Sequence, residues 1–96
     1  VFEIRKTVEF SEWLESLRDT RGRARILVRI ERLSAGHFGD AKVVGQSVAE
    51  LRIDVGPGYR VYFVRQGQTV IVLLAGGDKS TQATDIRKAQ RLANNL

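Results

Sequence analysis

Apolar and polar positions alternate with more than one period along this chain. Residues 1–6, VFEIRK, set Phe2 and Ile4 between charged neighbours, the period of a short strand. From Phe10 the period changes. Phe10, Trp13, Leu14 and Leu17 fall at helical spacing and predict an amphipathic helix of about three turns. Trp13 sits on that apolar stripe, so it reads as a core residue and not as a stacking platform for a base. Thr20 is the expected cap of a second helix running to Ser34. Its buried face is Ile26, Leu27, Ile30 and Leu33, and Gly36 ends it. Arg21, Arg23, Arg25, Arg29 and Arg32 lie along the same helix and read as a solvated basic face. Residues 36–47, GHFGDAKVVGQS, are glycine-spaced and read as a loop.

Strand signals follow. In residues 48–55, Ala49, Leu51, Ile53 and Val55 point one way, while Glu50, Arg52 and Asp54 point the other. Residues 59–66 alternate too, with Val61 and Phe63 on one face and Arg60, Tyr62 and Val64 on the other. Residues 69–75 are almost continuously apolar, which suits a central strand covered on both faces. GGDKS ends that strand, and residues 81–95 predict a final helix with Ile86, Ala89 and Ala93 on one side. The predicted order is strand, helix, helix, three strands, helix. Short connections make the three-strand run antiparallel. The first two helices cover one sheet face, giving an α+β sandwich of two layers.

A length of 96 residues implies one domain. Its 16 Lys and Arg against 11 Asp and Glu leave a net charge of +5, which favours a nucleic acid or an acidic protein segment as partner. The absence of cysteine excludes disulfides, a cysteine zinc site and a cysteine nucleophile, and fits a reducing cytosol. No apolar run reaches the ~20 residues that a membrane helix needs, and no signal-peptide pattern opens the chain. The chain begins at Val1 and has no methionine, which places the expected native start just upstream. His37 is the single histidine and, with no partner motif, a poor candidate base.

The candidate chemistry lies in RIDVGPGYRVYF. Pairing Leu51 with Phe63 and Ile53 with Val61 sets Asp54 opposite Arg60 and Arg52 opposite Tyr62. Glu50, Arg52, Asp54, Arg60 and Tyr62 then share a concave polar face, away from the first two helices. Two readings stay open: a surface that binds phosphate and base, or cross-strand ion pairs on a solvated face. GGDKS is not a Walker A loop, because Asp78 intervenes before Lys79. Gly76 and Gly77 free the backbone at a strand end, and Lys79 precedes a helix start whose amides favour an anion. With Arg52 and Arg60 nearby, three cations would converge on one phosphate.

The same residues carry a family resemblance. GDAKVVGQSVAELRIDVGPGYRVYF followed by VLLAGGDKSTQATDIRKA resembles the RelE/ParE toxin superfamily over almost the whole chain, and more narrowly its HigB-like "addiction module killer" branch. The resemblance implies a single RelE/ParE-like toxin domain over residues 1–96. It implies a cytoplasmic bacterial toxin neutralised by a small helix-turn-helix, HigA-like antitoxin, which alone would link it to operator DNA. Most RelE-like and HigB-like members cleave mRNA on the ribosome without metal or cofactor. ParE-like members poison DNA gyrase, and the fold also admits a non-catalytic binding module. Arg52, Arg60 and Lys79 match the places of the family's catalytic cations. Asp54 stands where RelE has a lysine, and the tyrosine of RelE's final segment has no counterpart, which leaves Tyr62 and Asp85 as candidates for proton transfer. Lys42, Arg87, Lys88 and Arg91 are the expected RNA-binding residues.

Overall fold

In the computed structural model, which describes residues 1–96, a short strand β1 (Glu3–Lys6) turns at once into helix α1 (Val8–Ser16). Thr7 makes the turn. Its hydroxyl accepts the Phe10 N–H at 3.0 Å, capping the helix, and donates to the Leu74 carbonyl at 2.6 Å, which pins the helix start to the sheet. Helix α2 (Thr20–Ser34) is capped not by Thr20 but by Asp19, whose carboxylate accepts the Gly22 N–H at 2.9 Å. Gly36 ends it as expected. At φ +92° it lets its own N–H reach the Leu33 carbonyl and the His37 N–H reach that of Arg32, the Schellman closure.

Four strands follow: β2 (Ala41–Gly45), β3 (Val48–Ile53), β4 (Tyr59–Gln66) and β5 (Val70–Asp78). A 3-10 turn (Lys79–Thr81) leads into α3 (Gln82–Asn94). The five-stranded sheet has the order β1-β5-β4-β3-β2, with β1 parallel to β5 and every other pair antiparallel. The α+β class and the order of the expected elements hold. Strand β2 is an addition, standing where a loop was expected. Glycines on both sides hid its alternation, and its tight turn uses Gln46 and Ser47, both at positive φ, instead of the usual Asn-Gly pair.

The β3–β4 register differs from expectation by two residues. Arg52 faces Arg60, Leu51 faces Val61 and Glu50 faces Tyr62, while Asp54 lies exposed beyond the strand end. The loop decides this. Gly56 and Gly58 take φ +57° and +81°, and the Gly58 N–H bonds back to Val55, so the ladder starts at Ile53–Tyr59. An even slip keeps each side chain on its expected face.

One face packs Phe10, Leu14, Ile26, Ile30 and Leu33 against Leu51, Ile53, Val61, Phe63, Ile71 and Leu73. Leu27, expected in that core, is 46% exposed. The opposite face packs Tyr62, Val64, Val72 and Leu74 against Ala89 and Ile86 of α3. The molecule therefore has three layers, not two. The continuously apolar segment within β5 required cover on both faces, and α3 supplies the second. Strand β5 also runs on through Gly76 and Gly77 to Asp78 instead of ending at Ala75.

Candidate active site

Alternation along β3 and β4 sends Glu50, Arg52, Arg60 and Tyr62 to the α3 face, where register sets the two arginines directly opposite each other. Like charges so placed repel. Glu50 resolves this. Its carboxylate is fully buried, accepts Arg52 Nε at 3.1 Å on Oε1, and holds Arg60 Nε 3.8 Å from the same oxygen. Oε2 accepts the Tyr62 hydroxyl at 3.3 Å and Gln82 Nε2 at 2.6 Å. Burial alone would push the Glu50 carboxyl up. Hydrogen bonds from Gln82 and Arg52, the Arg60 charge and the Tyr62 hydroxyl outweigh it, so its pKa falls below the ordinary value.

The arginines differ in access. Arg60 Nη1 donates to the carbonyls of Gly58 and Tyr59 at 3.3 and 3.2 Å, and its buried Nε has no hydrogen-bond partner. Its side chain is 12% exposed, against 32% for Arg52, whose Nη groups make no hydrogen bond within the chain. Lys79 is exposed at the same end of the sheet. A Cβ on Gly58 would lie 3.5 Å from both Arg60 Nη1 and Lys79 Cβ, so Gly58 sits between the Arg60 guanidinium and the base of the Lys79 side chain.

The anion expected at the helix start is part of the chain. Asp78 caps the 3-10 turn, accepting the Ser80 N–H at 2.8 Å and the Ser80 hydroxyl at 2.5 Å. These bonds hold its carboxyl below the usual range. Gly76 and Gly77 likewise serve close approach and not backbone freedom. A Cβ on Gly76 would collide with the Trp13 ring from α1, and one on Gly77 with the Asp85 carboxylate from α3. Asp85 accepts the Thr81 hydroxyl at 2.5 Å.

Tyr62, expected on an open polar face, lies wholly inside the α3 layer because that helix covers the central strands. Burial, then the charges of Glu50 and Asp85, push its pKa up, so it stands as a hydroxyl donor to Glu50. Lys42 is exposed on edge strand β2, opposite Glu50 in register. Arg87 and Arg91 are exposed on α3, and Lys88 is half-buried there. The structure thus gathers Arg52, Arg60, Tyr62 and Lys79 about one end of the sheet and spreads the other basic residues over two flanking elements. Trp13, read as a core residue, is partly buried and packs against the core, edge-on to Tyr59 at 6.3 Å between ring centres.

The sequence reading missed two roles. Glu50 was one of five polar residues on a face, yet it is the centre of the cluster. The signal was a carboxylate inside a strand whose other positions are apolar or arginine. Arg29, read as solvated surface, donates to the backbone carbonyls of Arg52 at 2.5 Å and Phe38 at 3.4 Å and ties the end of β3 to α2. Nothing in a run of arginines separates it from its neighbours. No group of three or more His, Cys, Asp or Glu side chains is gathered where a metal would need them. An apolar groove of about 440 Å³ lies on the opposite face, lined by Phe38, Ala41, Val43, Ala49 and Phe63, away from the arginine pair.

Comparison with known proteins places these features. The model of a family described as phage-derived protein Gp49-like (DUF891) matches residues 12–96. An uncharacterized protein of Haemophilus influenzae is 49% identical over 94 residues, which cover 98% of this chain and 95% of that one. A solved structure of a mutant of the E. coli toxin RelE in the free state superposes with a TM-score of 0.66 over 91% of this chain and 96% of its own. Identity to it is 13%, so this likeness is one of fold.

Proposed function

This chain belongs to the phage-derived Gp49-like family and has the RelE fold, and we propose that it is the toxin of a type II toxin–antitoxin module that cleaves mRNA on the ribosome. Within the superfamily we assign it to the HigB-like branch. The observation that carries this reading is the Arg52–Arg60 pair, fixed face to face on neighbouring strands with Lys79 at the same end.

RNA cleavage of this kind begins when a 2′-oxygen attacks the adjacent phosphorus. The 2′-hydroxyl loses its proton to water, the P–O bond to the 5′-oxygen breaks, and that oxygen takes a proton from water, leaving a cyclic phosphate and a 5′-hydroxyl. The five-coordinate transition state gathers negative charge on its phosphoryl oxygens, and cations already in place lower its energy without reorganisation. Arg52 and Arg60 hold those oxygens, and Lys79 meets the charge that develops on the leaving oxygen. Arginine does not deprotonate at physiological pH, so neither guanidinium is the base. Tyr62 acts from within, by holding Glu50. Asp85, which accepts the Thr81 hydroxyl, is the acidic group of the final segment assigned to proton transfer. With no strong base among the arginines, the ribosome supplies orientation by presenting the mRNA in an attacking geometry. Lys42, Arg87, Lys88 and Arg91 contact flanking phosphates. A small helix-turn-helix antitoxin covers the cations when the toxin is silent, and action on ribosomes places the toxin in the cytoplasm. No helix is long and apolar enough to cross a membrane.

Primer extension on cellular mRNA after induction tests the reading. Discrete cuts within translated codons are expected. Intact mRNA together with trapped gyrase–DNA complexes would overturn it in favour of ParE-like action.

A further inference from the structure

Resting on the ribonuclease reading, we propose that Glu50 is a positioning residue: it sets the guanidinium planes of Arg52 and Arg60 so that both face one phosphate, and it locks α3 to the sheet through Gln82. Glu50 is the one charged side chain buried completely, among Val48, Tyr62 and Ala89. Burying a carboxylate costs free energy that a well-packed apolar side chain of similar volume would not. Arg52, Arg60, Tyr62 and Gln82 offset that cost, so the reason for a glutamate at this position lies in the groups it holds.

The contacts show how the positioning works. Glu50 engages the Nε edge of Arg52 and stands beside that of Arg60. Both Nη groups of Arg52 and Nη2 of Arg60 remain without a hydrogen-bond partner in the chain, available to an oxyanion. One negative charge between two positive ones leaves the trio at +1. The site still attracts phosphate, and the arginines do not splay apart. The same carboxylate holds Gln82, three residues after Lys79, and so fixes the turn that carries the third cation.

Charge and positioning make opposite predictions for Glu50→Gln. Its carboxamide oxygen still accepts from Gln82 and the Tyr62 hydroxyl, so the fold is retained, while its NH2 group faces the Arg52 and Arg60 Nε–H groups and accepts nothing from them. Glu50→Met, an unbranched apolar side chain, serves if the glutamine variant fails to fold. With the negative charge gone, attraction for RNA rises or stays level, but the guanidinium groups lose their fixed planes. Three quantities are measured on the full chain and each folded variant. They are the rigidity of the Arg52 and Arg60 Nε–H groups by ¹⁵N relaxation, the affinity for an RNA oligonucleotide made uncleavable by a 2′-deoxy substitution, and the single-turnover cleavage rate of ribosome-bound mRNA. Expected are loss of Nε–H rigidity, affinity equal to or tighter than wild type, and a rate lower by on the order of 10²-fold. Rigid Nε–H groups in the variant, or a rate within about threefold of wild type, would overturn the proposal. If the wild-type chain cleaves nothing, the ribonuclease reading fails by itself, and the Nε–H signals alone decide for Glu50 by being lost or kept.

Discussion

At Lys79 charge and proton donation can be separated. The side chain is exposed and makes no hydrogen bond within the chain, so replacing it leaves the fold in place. If its role is electrostatic, Lys79→Arg keeps cleavage within about 10-fold, whereas Lys79→Gln loses on the order of 10²-fold. This is the expected result, to be read from single-turnover cleavage on programmed ribosomes. Loss in both variants would show proton donation or strict positioning instead, because arginine does not release its proton. Full activity in both would make Lys79 plain surface. The residues themselves were legible: alternation alone sent Arg52 and Arg60 to one face and Leu51 and Val61 to the other. What alternation could not show was that Arg52 meets Arg60 and not Tyr62, because the curl of residues 54–58 sets that pairing.

Among the elements, β5 and α3 carry the largest departure from expectation. Glycines after an apolar run read as the end of a strand, yet here they are the sites at which two helices approach it. Trp13 of α1 lies on Gly76 from one side, and Asp85 of α3 lies on Gly77 from the other. The Asp85 carboxylate can swing away from a methyl group at Gly77, but the Trp13 ring, packed against the core, cannot yield so easily to one at Gly76. Gly76→Ala is therefore expected to destabilise the protein by about 1–3 kcal/mol, the usual cost of overpacking. The shift in urea midpoint followed by far-UV circular dichroism measures it. An unchanged midpoint would mean that α1 does not seat on β5 in this way. The helices were the most legible elements, since their stripes and caps are local. Strand β2 was not legible, because a hairpin arm of five residues owes its stability to its pairing with β3.

For the molecule as a whole, both tyrosines are built into the packing, one on each face of the sheet. Tyr59 donates to Asp19 at 2.8 Å; burial first, then this bond and the Asp19 charge, push its pKa from 10.0 to about 12. Between those values the unfolded chain has lost the Tyr59 proton and the folded chain has kept it. The folded state then binds more protons, so stability falls as pH rises from 10 toward 12. Native protein at pH 11 should show almost no phenolate absorbance, with both tyrosines ionising on unfolding, and Tyr59→Phe should reduce the alkaline loss of stability. Phenolate absorbance at pH 10 in folded protein would contradict the packing described. This three-layer burial marks the division between sequence and tertiary structure. By itself the sequence determined the α+β class and the basic charge, the three helices, the strands of the hairpin core and the face to which Arg52 and Arg60 point. These follow from local period, caps and turn residues, which act over a few positions. Only the tertiary structure decided that α3 closes over that face and that Glu50 lies buried between two arginines. Each of these depends on which segments meet across the sheet, and contacts distant along the chain leave no periodic trace in it.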